Sequence, residues 1–479
     1  MKENSISRRT FLKSSALAGA AGMVGTGSVI TSCDGGGGSA AEKITPIKAP
    51  GTYYLPELPD EAIEGKELKI GLIGCGGQGT GDLRNFLQAV KGIKVTALGD
   101  TFIDRLTNTA NMVKEISGQD VPENGRFIGL DAYKQVIDSG VDAVMIVTPP
   151  YFRPIHFKYA VEKGIHCFME KPLFVDSVGY RSVVATARQA QAKNLAVIVG
   201  TQRHHQRNYV AAHEQIMNGI IGEITGGVVY WNQNQLWFRE RQPAWSDCEW
   251  MIRDWVNWTW LSGDHIVEQH VHNLDVFTWF SDLRPAKAIA VGARHRRVTG
   301  DQFDCFGVDF TMENGIHVAS MCRQINGCSG PVTEFIQGTK GSWTSTGDEI
   351  KNLKGEIIWK FDNEAAREKY KVNSATQLEL IAWVNHIRSG KSIDQASELA
   401  VSNMMAVMGR EAAYTGNEVT WEAMTTSDMD LTPPDLTFTG KMNLARYTIP
   451  KPGITNEEAA VQAAARRAEM EARRAAAQQ

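Results

Sequence analysis

The chain has no excess of positive charge. Its 50 Lys and Arg residues face 54 Asp and Glu, a formal charge of −4. That balance excludes capture of nucleic acid by bulk charge, and no basic patch stands in its place. Cysteine is scarce too. Seven are scattered at positions 33, 75, 167, 248, 305, 322 and 328, with no C-x-x-C pair. A disulfide-dense scaffold and a zinc ribbon are therefore excluded. Cys322 and Cys328 are close enough in sequence to bridge a turn, and the rest read as small core residues. Beyond the N-terminus no run is long and apolar enough for a membrane helix. What remains is ordinary globular composition, 43% hydrophobic and 22% charged, in 479 residues. That length favours two domains.

The N-terminus reads as an address. Ser7-Arg8-Arg9-Thr10-Phe11-Leu12-Lys13 has the twin-arginine export pattern, and a small-residue apolar stretch runs from Ala16 to Ile30. Ile30-Thr31-Ser32-Cys33 resembles a lipobox, making Cys33 a candidate lipid anchor. Residues 1–32 are read as signal and 33–66 as a linker. The expected location is periplasmic or membrane-anchored.

From Leu68 the pattern alternates. Leu68, Ile70, Leu72 and Ile73 suit a buried strand. Gly74-Cys75-Gly76-Gly77-Gln78-Gly79 then fits G-x-G-x-x-G, and Leu83, Phe86, Leu87 and Val90 recur at helical spacing. Strands are predicted at 68–74, 93–99, 142–147, 165–169 and 195–199, and helices at 80–90, 102–116, 131–139, 154–163 and 176–192. This is a doubly wound parallel sheet of Rossmann type over 67–200. After Gly200 the texture changes. A helix at 206–218, a strand at 228–231, a Trp-rich loop and one helix from 263 to 280 precede strands at 286–296, 304–311, 315–323, 332–338, 341–346 and 356–361. Residues 201–415 are thus expected to form an α+β domain with an open, largely antiparallel sheet. Helices at 376–389 and 396–415 are expected to pack back on the first domain. An extension (416–453) and an Ala/Arg/Glu-rich tail (454–479), helical or disordered, close the chain.

Strand, glycine turn and helix together grip a dinucleotide. Gly74 permits the turn, Gly76 and Gly77 let backbone approach a pyrophosphate, and Gly79 lets helix pack on strand. Gln78 lies in the same turn. Asp100, after the second strand, is placed for the ribose hydroxyls, and a carboxylate there favours NAD over NADP. Arg105 pulls slightly the other way.

The most specific stretch is Val144 to Pro172. It holds Thr148-Pro149-Pro150, Gly164-Ile165-His166 and Glu170-Lys171-Pro172. With Gln202-Arg203 and Gly219 to Ile224, it resembles the glucose–fructose oxidoreductase / inositol dehydrogenase / MocA (Gfo/Idh/MocA) family, from about Lys66 to Gly416. The resemblance implies a nucleotide-binding domain with Thr148, Pro149, Glu170, Lys171 and Gln202 along the cofactor. It implies Lys171 as acid/base at the reacting sugar carbon, and a second sheet whose outer face makes a homo-oligomer.

Gly263 to Asp275 adds a second constellation. At about 100° per residue, His265, Glu268, His272 and Asp275 share one helical face, with His270 opposite. The family pattern has Asp, His and Asp here. Glu268 takes the first position, with His272 as general base and Asp275 as substrate contact. The same face admits a metal reading, His265, Glu268 and His272 around a divalent ion, or a polar helix buried between domains.

Seven of twelve tryptophans lie between Trp231 and Trp260, interleaved with charge. Flat rings stack on sugar faces and planar charged groups bond hydroxyls. Trp237, Arg239, Arg253 and His204 are the substrate candidates, though such rings also anchor an irregular loop.

These residues point to an exported NAD-dependent oxidoreductase acting on a ring hydroxyl of a sugar or glycoside. Outside the cytoplasm there is no free nicotinamide pool, so the cofactor is expected to stay bound and be recycled in place. Two alternatives stand. One is a redox-neutral glycosidase or lyase with catalytic NAD; the NAD-dependent α-N-acetylgalactosaminidases it resembles show Glu-Val-Pro where this chain has Glu-Lys-Pro. The other is a non-catalytic sugar-binding protein, against which Lys171 and His272 argue.

Overall fold

The computed structural model describes residues 55–476. The export signal, Cys33 and most of the linker lie outside the described residues.

Six strands build the first sheet in sequence order: β1 (Leu68–Ile73), β2 (Ile93–Asp100), β3 (Arg126–Ile128), β4 (Ala143–Ile146), β5 (His166–Met169) and β6 (Ala196–Val199). β4 and β6 are buried at every residue, as strands covered by helices on both faces must be. The second sheet takes β7 (Ile224–Gln233), β8 (Pro285–Ala293), β9 (Cys305–Met312), β10 (His317–Gln324), β11 (Val332–Gly338), β12 (Gly341–Thr344), β13 (Glu349–Asn352) and β14 (Ile357–Lys360). Two short strands follow. β15 (Ile393–Asp394) extends the first sheet beside β6, and β16 (Val419–Thr420) extends the second beside β8.

The first sheet is parallel throughout, in the order β15-β6-β5-β4-β1-β2-β3. Chain direction across it reverses between β1 and β4. That switch point opens a crevice at the strands' carboxyl ends, where α/β proteins bind ligands. The second sheet runs β14-β13-β12-β11-β7-β10-β9-β8-β16, with only the β7–β10 pair parallel.

The two sheets are not independent bodies. One hydrophobic cluster runs from Ile73, Val144 and Met169 to Phe277, Phe310 and Trp343. The helix Ala375–Ser389 lies on the first sheet, with Trp383 against Phe86 and Phe168 at 5.6 and 5.9 Å. The helix Gln395–Thr415 ties both halves. Its Asn403 side chain accepts from the backbone of Leu173 at 2.6 Å, and Arg410 donates to the carbonyls of Val175 and Gly263.

Four differences from the sequence reading matter. The expected 263–280 helix is two helices, His265–Glu268 and Val271–Ser281, with a break at Gln269. The Trp-rich stretch is no open loop but holds a helix at Asp247–Arg253. The extension is not an appendage: Leu431, Phe438, Met442 and Tyr447 pack into the same cluster as Trp250, Trp258 and Trp260. Cys322 is buried in β10 and Cys328 exposed beyond it, and both are free thiols, so they form no bridge. The tail forms a helix, Asn456–Ala476, exposed through residue 470.

Candidate active site

The crevice at the switch point is a cavity of about 630 Å³, lined from the first sheet, the Trp-rich segment and the broken helix together. Its nucleotide end is shaped by glycine. Gly74 has φ +97°, and a Cβ there would sit 2.5 Å from the Val147 carbonyl oxygen. At Gly79 a Cβ would meet the Gly74 carbonyl oxygen at 1.9 Å, so only glycine lets this helix reach this strand. Gly77 has open space on that side, and Gly76 has only the Arg105 guanidinium, at 3.8 Å. The helix Gly77–Ala89 starts at Gly76 without a side-chain cap. No side chain caps its first N–H groups, and Gly76, Gly77 and Gly79 line the cavity, the arrangement an anionic pyrophosphate fits. Gln78 lines the same wall.

Asp100 stands at the end of β2 and lines the cavity. Its carboxylate accepts from the backbone of Cys75 (2.6 Å) and Phe102 (2.8 Å). Burial nevertheless raises its pKa above the ordinary value. Arg105 lies on the same rim.

Deeper in, Thr148, Pro149, Glu170, Lys171 and Gln202 all line the cavity. Arg153, which the sequence reading passed over, holds this floor together. It donates to the carbonyls of Thr148 (2.8 Å) and Pro172 (2.6 Å), clamping the Thr-Pro turn to the Glu-Lys-Pro turn. Burial lowers its pKa to about 10, which leaves it charged. Its only sequence signal is its place one helical turn past Thr148-Pro149. The Lys171–Pro172 bond is cis.

Lys171, Glu268 and His272 come together. Lys171 Nζ donates to the Glu268 carbonyl at 2.6 Å and to its Oε1 at 3.1 Å, both residues being buried. The other Glu268 oxygen takes a bond from the Gln269 amide. His272 stacks on Trp231, ring centres 5.3 Å apart. Burial, then the positive charges of Lys171 and Arg203, push His272 well below the ordinary histidine range, so its imidazole is neutral. A neutral imidazole beside a held ammonium can take a proton from one hydroxyl while the lysine bonds another.

Other residues of the same stretch are placed elsewhere, on both sides of the break at Gln269. His265 faces the Trp231 carbonyl and His270 the Ser320 hydroxyl. Asp275 bonds His204 at 2.7 Å and Ser402 at 3.0 Å, outside the cavity lining. His204 is stacked on Trp279 and buried. Asp275 and His204 are therefore a structural pair and not substrate contacts. The metal reading fails as well: among the described residues no His, Cys, Asp or Glu group could hold an ion. Glu268 is taken by Lys171, and His265 by a carbonyl.

The mouth carries Trp237, Arg239 and Arg253. The Trp237 ring is 41% exposed and meets Trp255 edge-on. Trp231, on the far wall, was counted in the aromatic cluster but not singled out as a site residue.

Residues 68–206 match the family model of oxidoreductases with an NAD-binding Rossmann fold, GFO_IDH_MocA. That match covers the first, nucleotide-binding sheet, and there the chain is similar to the Gfo/Idh/MocA family. Residues 5–25 match the twin-arginine translocation signal. No described helix is long and apolar enough to cross a membrane. The chain is similar to the inositol 2-dehydrogenase of Paracoccus denitrificans, 28% identical over 215 residues, 45% of this chain and 54% of that protein. It is also similar to a glycosyl hydrolase family 109 protein of Streptomyces coelicolor, 25% identical over 223 residues, 46% and 44% of the two chains. The chain thus spans about half the length of each of these two relatives. Its fold is that of scyllo-inositol dehydrogenase from Lactobacillus casei, solved with bound NAD(H) and scyllo-inositol. That likeness has a TM-score of 0.56 at 20% identity and covers 74% of this chain and 99% of that one.

Proposed function

We propose that this protein is an exported, NAD-dependent oxidoreductase acting on a ring hydroxyl of a sugar or related polyol. The observation that carries the reading is the meeting of Lys171, Glu268 and His272 in the same cavity as the uncapped glycine turn. When bound, the nicotinamide supplies the hydride acceptor. His272, neutral by burial, takes the hydroxyl proton. Lys171, fixed by Glu268, bonds the reacting oxygen or its neighbour. Trp237, Arg239 and Arg253 receive the rest of the ring, while Thr148, Pro149, Glu170 and Gln202 bound the nicotinamide end. Asp100 makes the nucleotide NAD rather than NADP, since its carboxylate repels a 2′-phosphate.

The cofactor stays bound between turnovers. In support, Arg253 reaches across the groove to Asp104 at 3.3 Å and covers Phe102 at 3.7 Å. The Trp-rich segment that carries Arg253 is pinned in turn by the extension, Met442 N–H donating to Asp247 at 2.9 Å, and the extension is itself held to the turn after β4 by Tyr151, which donates to Thr432 at 3.1 Å. This strap crosses the nucleotide end, where an exported enzyme has no free pool to draw on. The mature chain is exported, either periplasmic or membrane-anchored through Cys33, and assembles as a homo-oligomer through the second sheet.

The glycosyl hydrolase relative supports a second reading, redox-neutral glycoside cleavage through transient oxidation. Lys171 in Glu-Lys-Pro weighs against it. Purified mature protein is given a panel of glycosides and polyols with no added nicotinamide, with and without a keto-sugar acceptor. A product lighter by two hydrogens that needs the acceptor supports oxidoreduction. Free sugar released without acceptor supports the second reading instead.

A further inference from the structure

Four carboxyls cluster beside Lys171: Glu170, Glu268 and Glu379 line the cavity and Asp82 is buried behind it, and among the described residues two cations, Lys171 and Arg153, serve them. Glu268 is taken by Lys171. Glu170 accepts from the Lys171 backbone at 3.0 Å and feels both Lys171 and Arg153. Asp82 and Glu379 are left over. Asp82 is 2% exposed, sits on the nucleotide helix and bonds only the Gln78 amide, at 2.8 Å. Its second oxygen is buried with no hydrogen-bond partner. Glu379 is 1% exposed, lines the cavity, and has one buried oxygen without a partner. It rides on Ala375–Ser389, the helix packed against the nucleotide helix through Trp383 and Phe86. Neither carboxyl makes an ion pair among the described residues, and both feel the charge of Glu170.

Two buried carboxylates beside a third, with no cation of their own, cannot all ionise. Burial and neighbouring acids hold both Asp82 and Glu379 well above the ordinary carboxyl range. The other charges near Asp82 are Arg153 and Lys171. The turn Gln202–His205, packed on the Glu379 helix, brings His205, which burial keeps neutral with a pKa of about 3. Nothing in the mechanism above uses either carboxyl.

We propose that Asp82 and Glu379 are a proton store coupled to the charge of the cofactor. The inference rests on the NAD reading above. A positive nicotinamide ring arriving beside the store favours ionisation, so one carboxyl gives up its proton to solvent on binding. When the substrate hydroxyl is oxidised, the hydride would neutralise the ring, and the proton that His272 takes from the hydroxyl would pass on to the vacated carboxylate. The balance is CH–OH, NAD⁺ and carboxylate going to C=O, NADH and carboxylic acid. No net proton leaves the site, and the stored proton is ready for the ketone of the next acceptor. Such a store suits an enzyme that runs both half-reactions on one trapped nucleotide.

Calorimetric titration of the full mature chain, freed of carried nucleotide, tests this in two buffers of different ionisation enthalpy at pH 7. NAD⁺ is expected to release about one proton per site, and NADH none. Glu379→Gln and Asp82→Asn, checked for native circular dichroism, should each cut that release. Each should also weaken NAD⁺ roughly tenfold against NADH, by removing an anion beside the ring. Wild-type binding of both nucleotides with no proton release overturns the store, with no variant needed. Equal release for both redox forms overturns it as well, because the coupling then follows the phosphates. Binding of neither nucleotide overturns the cofactor reading itself and the store with it.

Discussion

Lys171 and Glu268 are a buried pair, so removing one strands the other. Lys171→Ala leaves Glu268 without its cation and should lower kcat by about 10²–10⁴ while the nucleotide still binds. Steady-state rates with an accepted polyol, alongside a nucleotide titration, check this; unchanged turnover would remove Lys171 from the chemistry. His272 gives a pH signature. Its pKa is depressed, so the base form persists as pH falls through the ordinary histidine value of about 6.5. The acid limb of kcat/KM should therefore fall well below that value. An inflection near it that disappears in His272→Gln would contradict a neutral buried base. At this scale the sequence was readable where chemistry and backbone coincide. Gly74, Gly79 and Lys171 sit at turns whose geometry needs them. Arg153, Asp82 and Glu379 carry no motif, since their importance comes from what the fold brings beside them. His204 and Asp275 misled for the same reason: a polar pair facing a core looks, in one dimension, like a polar pair facing a cleft.

Among elements, the nucleotide helix offers a contrast between two glycines of different use, Gly77 and Gly79. Gly79→Ala forces a Cβ into the Gly74 carbonyl and should cost about 1–3 kcal/mol, visible as a lower Tm. Gly77→Ala meets nothing in the protein, so Tm should hold while NAD affinity falls, because the methyl enters the space left for the pyrophosphate. Equal effects on Tm and affinity in both variants would argue against an anion at this helix start. The strap makes a separate claim. Arg253→Ala removes its bonds to Asp104 and its cover over Phe102. Dissociation of nucleotide should quicken by roughly tenfold, read by gel filtration of the loaded protein. An unchanged rate would leave retention to the groove itself. Elements were legible where period and length agree, as in the five predicted strands of the first sheet and the helix Gln395–Thr415. β3 and β15, three and two residues long, are too short to show a period, and β13, Glu-Ile-Lys-Asn, has a single apolar residue. The break at Gln269 was hidden because the apolar spacing continues across it. The docking of the extension on Trp250 and Trp258 depends on contacts nearly 200 residues apart, which no local pattern records.

For the whole molecule, the question is what the second sheet's outer face meets. Pairing places Val291 opposite Gly307, Gly307 opposite Met321, and Met321 beside Tyr230, one row across four strands. Val291 is 76% exposed and Met321 44%, with Ile289 in the next row at 51%. The other face of this sheet is spent on the core shared with the first. An apolar outer row on a large sheet is costly to leave in water, and symmetric pairing of two copies would cover it. Because the cavity opens at the opposite side of the sheet from this row, assembly and chemistry should separate on mutation. Val291→Glu with Met321→Glu places like charges across any such two-fold contact. The double variant should run as a smaller species in light scattering, with kcat for a soluble polyol within about twofold of wild type. A wild-type monomer would show that the row is covered by something other than a second copy. Loss of activity together with assembly would mean that the oligomer also holds the site in shape.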